Sequence, residues 1–385
     1  MEANPFVHHR AVGNPMVLQR DEWKIRRGDA SDYEGTRHLW ETVHGVPRSP
    51  DSMHWLYEAN PAGPCQLWMA EEMGTGRIVA TRPVFPWRVR VGHREVLVAQ
   101  AGDAMTHPEF RRRGVFTSLV QVVWSELRDQ GVPFSFSFSN AGALSVYRKT
   151  AVGQGSRAGT HEVLWFRRLV YPLSWRLILG RTPAIGGLIT GLDLPRRVFP
   201  HRRLTLPKHL SVFCVDRFDR EFDDLWIRTA QQYGVLTVRD SRYLNWRFMD
   251  PPTGAFQVLG LRTQGELVGY IAFEVDAQGN GWIADLFGLP NPEIVAALLR
   301  ASLGAMLEMG CATASILVAT DNPFVRVIRD VGFFQRADRF PMAVHVYRDG
   351  VDAETALDAR RWWAWYGDRD VERLCEAPVD ANGET

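Results

Sequence analysis

The feature that most constrains how this chain can fold is that it is written twice. Trp55, Pro61, Gly63 and Gln66 recur as Trp246, Pro252, Gly254 and Gln257, each 191 positions later. Upstream, Leu39-Trp40 is matched by Leu225-Trp226 and Gly45-Val46 by Gly234-Val235; downstream, Arg77-Ile78-Val79-Ala80 is matched by Glu266-Leu267-Val268-Gly269. A second constant offset of 182 relates Asp103 to Asp285, Pro108 to Pro290 and Asn140 to Asn322. Each match is weak alone, but their common order, with gaps at turn-like stretches, marks an internal repeat. At 385 residues the chain also exceeds what one core usually organises. We therefore read a flexible N-terminus (1–21), a first unit (22–165), a linker (166–209), a second unit (210–348), and a Trp-rich segment with a disordered tail (349–385).

Periodicity gives the class of each unit. Asp32–His44 carries apolar residues at helical spacing and stops near Gly45. Gln66–Ala70 and Arg77–Phe85 read as strands around a Gly74-Thr75-Gly76 turn, and Arg94–Met105 as a third strand. Helix Gly114–Gln130, strand Pro133–Ser139, helix Ala141–Thr150 and strand Glu162–Arg167 follow. Strands that give way to alternating strand and helix predict an α/β (α+β) unit, a mixed central sheet flanked by helices.

Composition narrows the partners. Lys and Arg total 45 against 44 Asp and Glu, so the basic excess of a nucleic-acid binder is missing. Cys65, Cys214, Cys311 and Cys375 stand in no metal spacing, and His8-His9 has no third ligand; buried thiols in a reducing cytoplasm and no metal are expected. The N-terminus lacks the order of a signal peptide, and the longest apolar stretch, Thr182–Leu192, is too short to span a bilayer. It reads as a linker packed on the two units.

The chemistry concentrates in Met105-Thr106-His107-Pro108-Glu109-Phe110-Arg111-Arg112-Arg113-Gly114-Val115-Phe116, between a predicted strand and a predicted helix. Free N–H groups and the positive end of the dipole make a helix N-terminus an anion site. Gly114 removes the Cβ where a phosphate must approach, and arginines add bidentate donors. That combination suits a pyrophosphate.

At these residues the chain resembles the GNAT acyltransferase superfamily, whose acetyl-CoA loop reads Arg/Gln-x-x-Gly-x-Gly/Ala after a strand and a proline. Here Phe116 replaces the last small residue. Asn140, Ala143 and Tyr147 match the family's Asn-x-x-Ala-x-x-x-Tyr, while its following Gly-Phe is Ala151-Val152. The run from His107 to Phe116, Tyr243–Arg247 and Gly367–Asp370 are similar to a tandem subgroup linked to polysaccharide or sugar modification, which implies an amino-sugar acceptor.

The resemblance implies an enzyme that moves an acetyl group from acetyl-CoA, or another acyl-CoA, to the amine of a small acceptor within a ternary complex. Strands Val96–Met105 and Pro133–Ser139 would splay to admit the pantetheine, with backbone at Met105 and His107 holding its amides. Arg111, Arg112, Arg113, Gly114, Val115 and Phe116 would hold the pyrophosphate. Asn140 would bind the cofactor or cap the next helix. Tyr147 would protonate the leaving thiolate, and Asp103 would serve as base, directly or through water, with His107 and Glu109 as weaker candidates. Because Asp285 stands at Asp103's position in the second unit, a structural role for both is an equal reading. In that unit Glu293 replaces Arg111 and Ala296 replaces Gly114, a poor pyrophosphate nest, so one active site and a scaffolding second unit are expected. An O-acyltransferase, a user of longer acyl groups and a non-catalytic acyl-CoA sensor are alternatives. An aminoacyl-transferase of the FemX kind also uses two such units, but near-neutral charge and the intact loop count against it. A tandem pair satisfies internally the pairing that single units obtain by dimerising, so a cytoplasmic monomer is expected.

Overall fold

The computed structural model describes residues 22–150, 155–174, 178, 204–254 and 256–369. The expectations for 1–21, for Thr182–Leu192, for Cys375 and for the C-terminal tail lie outside these residues. Among the described residues fourteen strands follow in chain order: β1 Trp23–Arg27, β2 Gln66–Glu72, β3 Ile78–Val91, β4 Arg94–Ala101, β5 Met105–Thr106, β6 Phe134–Phe138, β7 Gly159–Pro172, β8 Leu210–Cys214, β9 Val235–Thr237, β10 Gln257–Thr263, β11 Glu266–Val275, β12 Asn280–Gly288, β13 Thr313–Ala319 and β14 Phe334–Val346. The helices are α1 Tyr33–His44, α2 Pro50–Tyr57, α3 Val115–Asp129, α4 Ala141–Lys149, α5 Arg220–Thr229, α6 Ser241–Leu244, α7 Pro292–Glu308, α8 Val325–Val331 and α9 Val351–Ala356.

The repeat does not produce two separate sheets. All the strands join one mixed sheet with the path β1-β2-β3-β4-β6-β14-β7-β13-β12-β11-β10-β8, and β5 and β9 both pair with β3. The last strand of each repeat crosses to the other side: β14 pairs with β6, β7 pairs with β13, and β7 and β14 run antiparallel against each other at the centre. The strand expected to close at Arg167 therefore runs on to Pro172. At the junction Trp55 and Trp246 stack at 4.9 Å, and each indole N–H donates to the other's carbonyl, at 2.8 and 3.0 Å. Reciprocal contacts of this kind are what a two-fold axis imposes, here between the halves of one chain.

Local chemistry sets the elements. On α3, Val115, Leu119, Val122, Val123 and Leu127 are buried at helical spacing. Ser49 accepts from Ser52 N–H ahead of Pro50, the favoured start of a helix, and opens α2. β3 contains Pro83 and Pro86, and each falls where a neighbour is missing. Antiparallel alternation turns the nitrogen of Pro83 toward the gap between β4 and β5, and that of Pro86 toward the gap between β2 and β9. No described helix is long and apolar enough to cross a membrane.

Candidate functional site

The site begins where two parallel strands part. β4 and β6 pair only at Ala99–Ser135 and Gln100–Phe136, and beyond that point no described bridge joins them. β4 ends at Ala101, the chain breaks out of register at Gly102–Ala104, and β5 resumes pairing with β3. The splay matches the expectation for Val96–Met105 and Pro133–Ser139, with β4 interrupted rather than continuous. Alternation also corrects which backbone faces the gap. His107 N–H donates to Val79 at 2.8 Å, and Met105 is in register with Thr81, so both turn their backbone inward to β3. Thr106 turns the other way; its carbonyl accepts from Arg111 Nε at 3.3 Å. The backbone that faces the gap is therefore that of Thr106, one residue from each member of the pair inferred from sequence.

At the mouth of the gap lies the start of α3. Gly114 is its N-cap at φ +80°, without a side chain to fill the cap, and a Cβ there would meet open space. Arg112 also takes positive φ, +62°. The first-turn N–H groups, Val115 and Phe116 among them, are thus left uncapped by any side chain. Of the three exposed arginines, Arg113 pairs with Glu22 at 3.1 Å and Arg111 lies back on Thr106, while Arg112 has no partner among the described residues.

The remaining sequence candidates separate into two groups. Tyr147 on α4 joins the loop: its ring is 6.0 Å from Phe116 and 5.2 Å from Trp124, and its hydroxyl makes no hydrogen bond among the described residues. Asn140, Asp103 and His107 are engaged in holding the fold. Asn140 Oδ1 caps α4 through Ala143 N–H at 2.9 Å. His107 Nδ1 accepts from Glu109 N–H at 3.3 Å, and Glu109 is drawn outward to Arg77. Asp103 Oδ2 accepts from both Arg48 and Tyr57, each at 2.6 Å, in a side chain only 5% exposed. Burial, then the carboxylate beside it, push the Tyr57 phenol well up, so it stays a donor.

Asp285 has the same kind of clamp: Arg239 at 2.8 Å and Tyr270 at 2.7 Å. Arg48 and Arg239 are themselves 191 positions apart, a match present in the sequence but overlooked because isolated arginines carry little signal. Burial opposes the charge on Arg239, and Asp285 and Asp368 more than restore it.

The second half repeats the splay and fills it. β12 and β13 pair in parallel only as far as Ile283–Ile316. Between them runs the Trp-rich C-terminal segment. Trp365 bridges Val318, Trp363 Nε1 donates to Leu286 at 3.0 Å, and Trp363 N–H to Val235 at 2.7 Å. Gly367 lies so close to β12 that a Cβ would stand 2.6 Å from the Ala284 oxygen. Arg247 donates to Gly367 at 2.7 Å, and Asp368 is held by Arg239 at 3.2 Å. The helix N-terminus at this cleft is closed too: Asn291 caps α7 by accepting from Glu293 N–H at 2.8 Å.

Comparison with known proteins agrees with this geometry. Residues 24–152 match the family of GNAT acetyltransferase domains. No curated protein matches the chain. Among solved structures, a GCN5-related N-acetyltransferase from Anabaena variabilis superposes with a TM-score of 0.59 at 14% identity, over 88% of this chain and 75% of that one. A probable N-acyltransferase of unknown function from Enterococcus faecalis gives 0.58 at 10% identity, over 86% and 74%. Saccharomyces cerevisiae N-myristoyltransferase with bound myristoyl-CoA gives 0.57 at 10% identity, over 91% and 87%. At such identities the structures attest the fold alone, and the family match is carried by residues 24–152, which are similar to GNAT acetyltransferase domains.

Proposed function

We propose that the chain transfers an acyl group from an acyl-CoA to the amine of a small acceptor, using the first cleft alone. The observation that carries this reading is the juxtaposition of the β4–β6 splay with the uncapped Gly114 start of α3. The diphosphate would rest on the first-turn N–H groups and Arg112, and the pantetheine would pair with Thr106. The neutral amine attacks the thioester carbonyl, the carbon–nitrogen bond forms and the carbon–sulfur bond breaks. The Tyr147 hydroxyl gives its proton to the departing thiolate and is reprotonated, through solvent, by the proton the amine sheds. Asp103 is assigned to the scaffold, since its twin Asp285 has the same arginine–tyrosine clamp beside a filled cleft.

Thiol release from acetyl-CoA with a panel of small amines, amino sugars included, tests the reading. Tyr147→Phe should lower kcat on the order of 10²-fold with little change in the KM for the thioester. CoA binding without turnover on any amine or alcohol would favour an acyl-CoA sensor.

A further inference from the structure

The cleft holds a cation that the proposed chemistry does not use. Arg82 lies on β3, paired on one side with Trp68 of β2 and facing, on the other, the break at Gly102–Ala104 where β4 gives way to β5. It is 1% exposed, and its Nε and both terminal nitrogens make no hydrogen bond among the described residues. Among the described residues no carboxylate pairs with it. Its guanidinium carbon stands 5.1 Å from the centre of the Tyr147 ring and 5.8 Å from that of Phe116. Two further buried groups in the same cluster are also unsatisfied, the indole N–H of Trp68 and that of Trp124, whose ring is 5.2 Å from Tyr147. All of these atoms are donors. Burying a guanidinium costs several kcal/mol unless an acceptor meets it, so five unmet N–H bonds beside a ligand cleft mark the place of an anion.

Two anionic groups of a bound thioester differ in fit. The diphosphate is large and hydrated, and the exposed nest at Gly114 with Arg112 already suits it. Arg82 is dry, and it lies beside Tyr147 and the strand break, at the thioester end. We propose that Arg82 is the receptor for a carboxylate on the acyl group, which makes a dicarboxylic acyl-CoA the preferred donor. The proposal rests on reading the first cleft as the acyl-CoA site and names the class of acyl group that site takes. Phe116, standing where the family loop has a small residue, then serves as one aromatic wall over the guanidinium.

Calorimetric titration of the full chain with CoA, butyryl-CoA and succinyl-CoA tests this, since the two thioesters share a four-carbon chain and differ in the carboxylate. Wild type should bind succinyl-CoA at least about tenfold more tightly than butyryl-CoA, as expected for a charge-assisted pair. Arg82→Met should erase that preference and leave free CoA within about twofold, while Arg82→Lys, which keeps the charge but not the fork, should retain part of it. Equal binding of the two thioesters by wild type would overturn the proposal. So would a loss of free-CoA affinity in Arg82→Met as large as the loss for succinyl-CoA, which would give Arg82 to the diphosphate. If Arg82→Met does not fold, Arg82→Lys decides by the same ratio. Failure of wild type to bind any of the three ligands would sink the acyl-CoA reading itself, a distinct result.

Discussion

The two halves of this sheet each open a gap between parallel strands, and the chain treats the gaps in opposite ways. Past Gln100 and Phe136, the first is bordered by Thr106 backbone, by Tyr147 and by a helix start with no side-chain cap. Past Ile283 and Ile316, the second is occupied by Trp363, Trp365, Gly367 and Asp368, and its helix start is capped by Asn291. A splayed pair of strands exposes N–H and C=O groups that must find partners. In the second half the chain supplies them itself. In the first half no described segment does so, which is why the proposed ligand is placed there and the second half is assigned to the scaffold.

The sharpest way to break this comparison is at the two helix starts. Gly114→Glu places a carboxylate where the diphosphate is proposed to sit and should bring CoA binding below detection by calorimetry. Asn291→Ala, its counterpart, should leave CoA affinity unchanged and cost only about 1 kcal/mol of stability through the lost cap. The counterpart suggested by alignment, Ala296→Glu, is unsuitable because Ala296 is 8% exposed and packs in the core, so a carboxylate there would damage the fold. Equal loss of CoA affinity in Gly114→Glu and Asn291→Ala would end the single-site account.

The plug comes next. Trp365 is fully buried, and truncation to alanine should cost about 3–5 kcal/mol, read as a lower midpoint in denaturant. CoA stoichiometry should stay at one per chain. A second equivalent of CoA bound by Trp365→Ala would show that the plug is an occupant hiding a working site, and not a replacement for one.

How much of this could be read in advance follows from the kind of signal each feature leaves. The repeat, the Gly114 helix start and the helix that carries Tyr147 are legible because they depend on local spacing and on residue types with narrow uses. The fusion into one sheet was not legible: which neighbour the last strand of each repeat pairs with is decided by tertiary packing, and β7 and β14 would read as strands in either arrangement. The plug was seen only as a tryptophan-rich segment, since nothing in Trp362–Asp368 names the groove that receives it. The one-residue error at Met105 and His107 has a geometric cause. Alternation has period two, so a strand whose break at Gly102–Ala104 cannot be placed from sequence leaves its parity undetermined. Arg82 went unremarked because an arginine in a strand carries no signal until its burial is known.

The acidic twins separate catalysis from architecture. Asp285→Asn leaves Arg239, fully buried, with its main counter-charge gone and should cost roughly 3–5 kcal/mol. Asp103→Asn should cost less, because Arg48 keeps some access to water and stacks over Trp40 at 4.2 Å. Thermal melts of the two variants give the ranking. If Asp103→Asn melts like wild type yet loses turnover, Asp103 returns as the base; parallel losses of stability and activity keep it in the scaffold.

The smallest expected effect concerns the paired asparagines. Asn140 accepts from Ala143 N–H and Asn322 from Phe324 N–H, each at 2.9 Å, so both tie down the turn that follows a central strand. Replacing either with alanine should cost about 1 kcal/mol, the usual net value of one side-chain hydrogen bond. The two variants should differ little, although one asparagine borders the open cleft and the other the plugged one. Should Asn140→Ala weaken CoA binding tenfold while Asn322→Ala changes only stability, Asn140 would have a second role at the ligand. The asymmetry between the clefts would then reach one residue deeper than the helix starts and the plug.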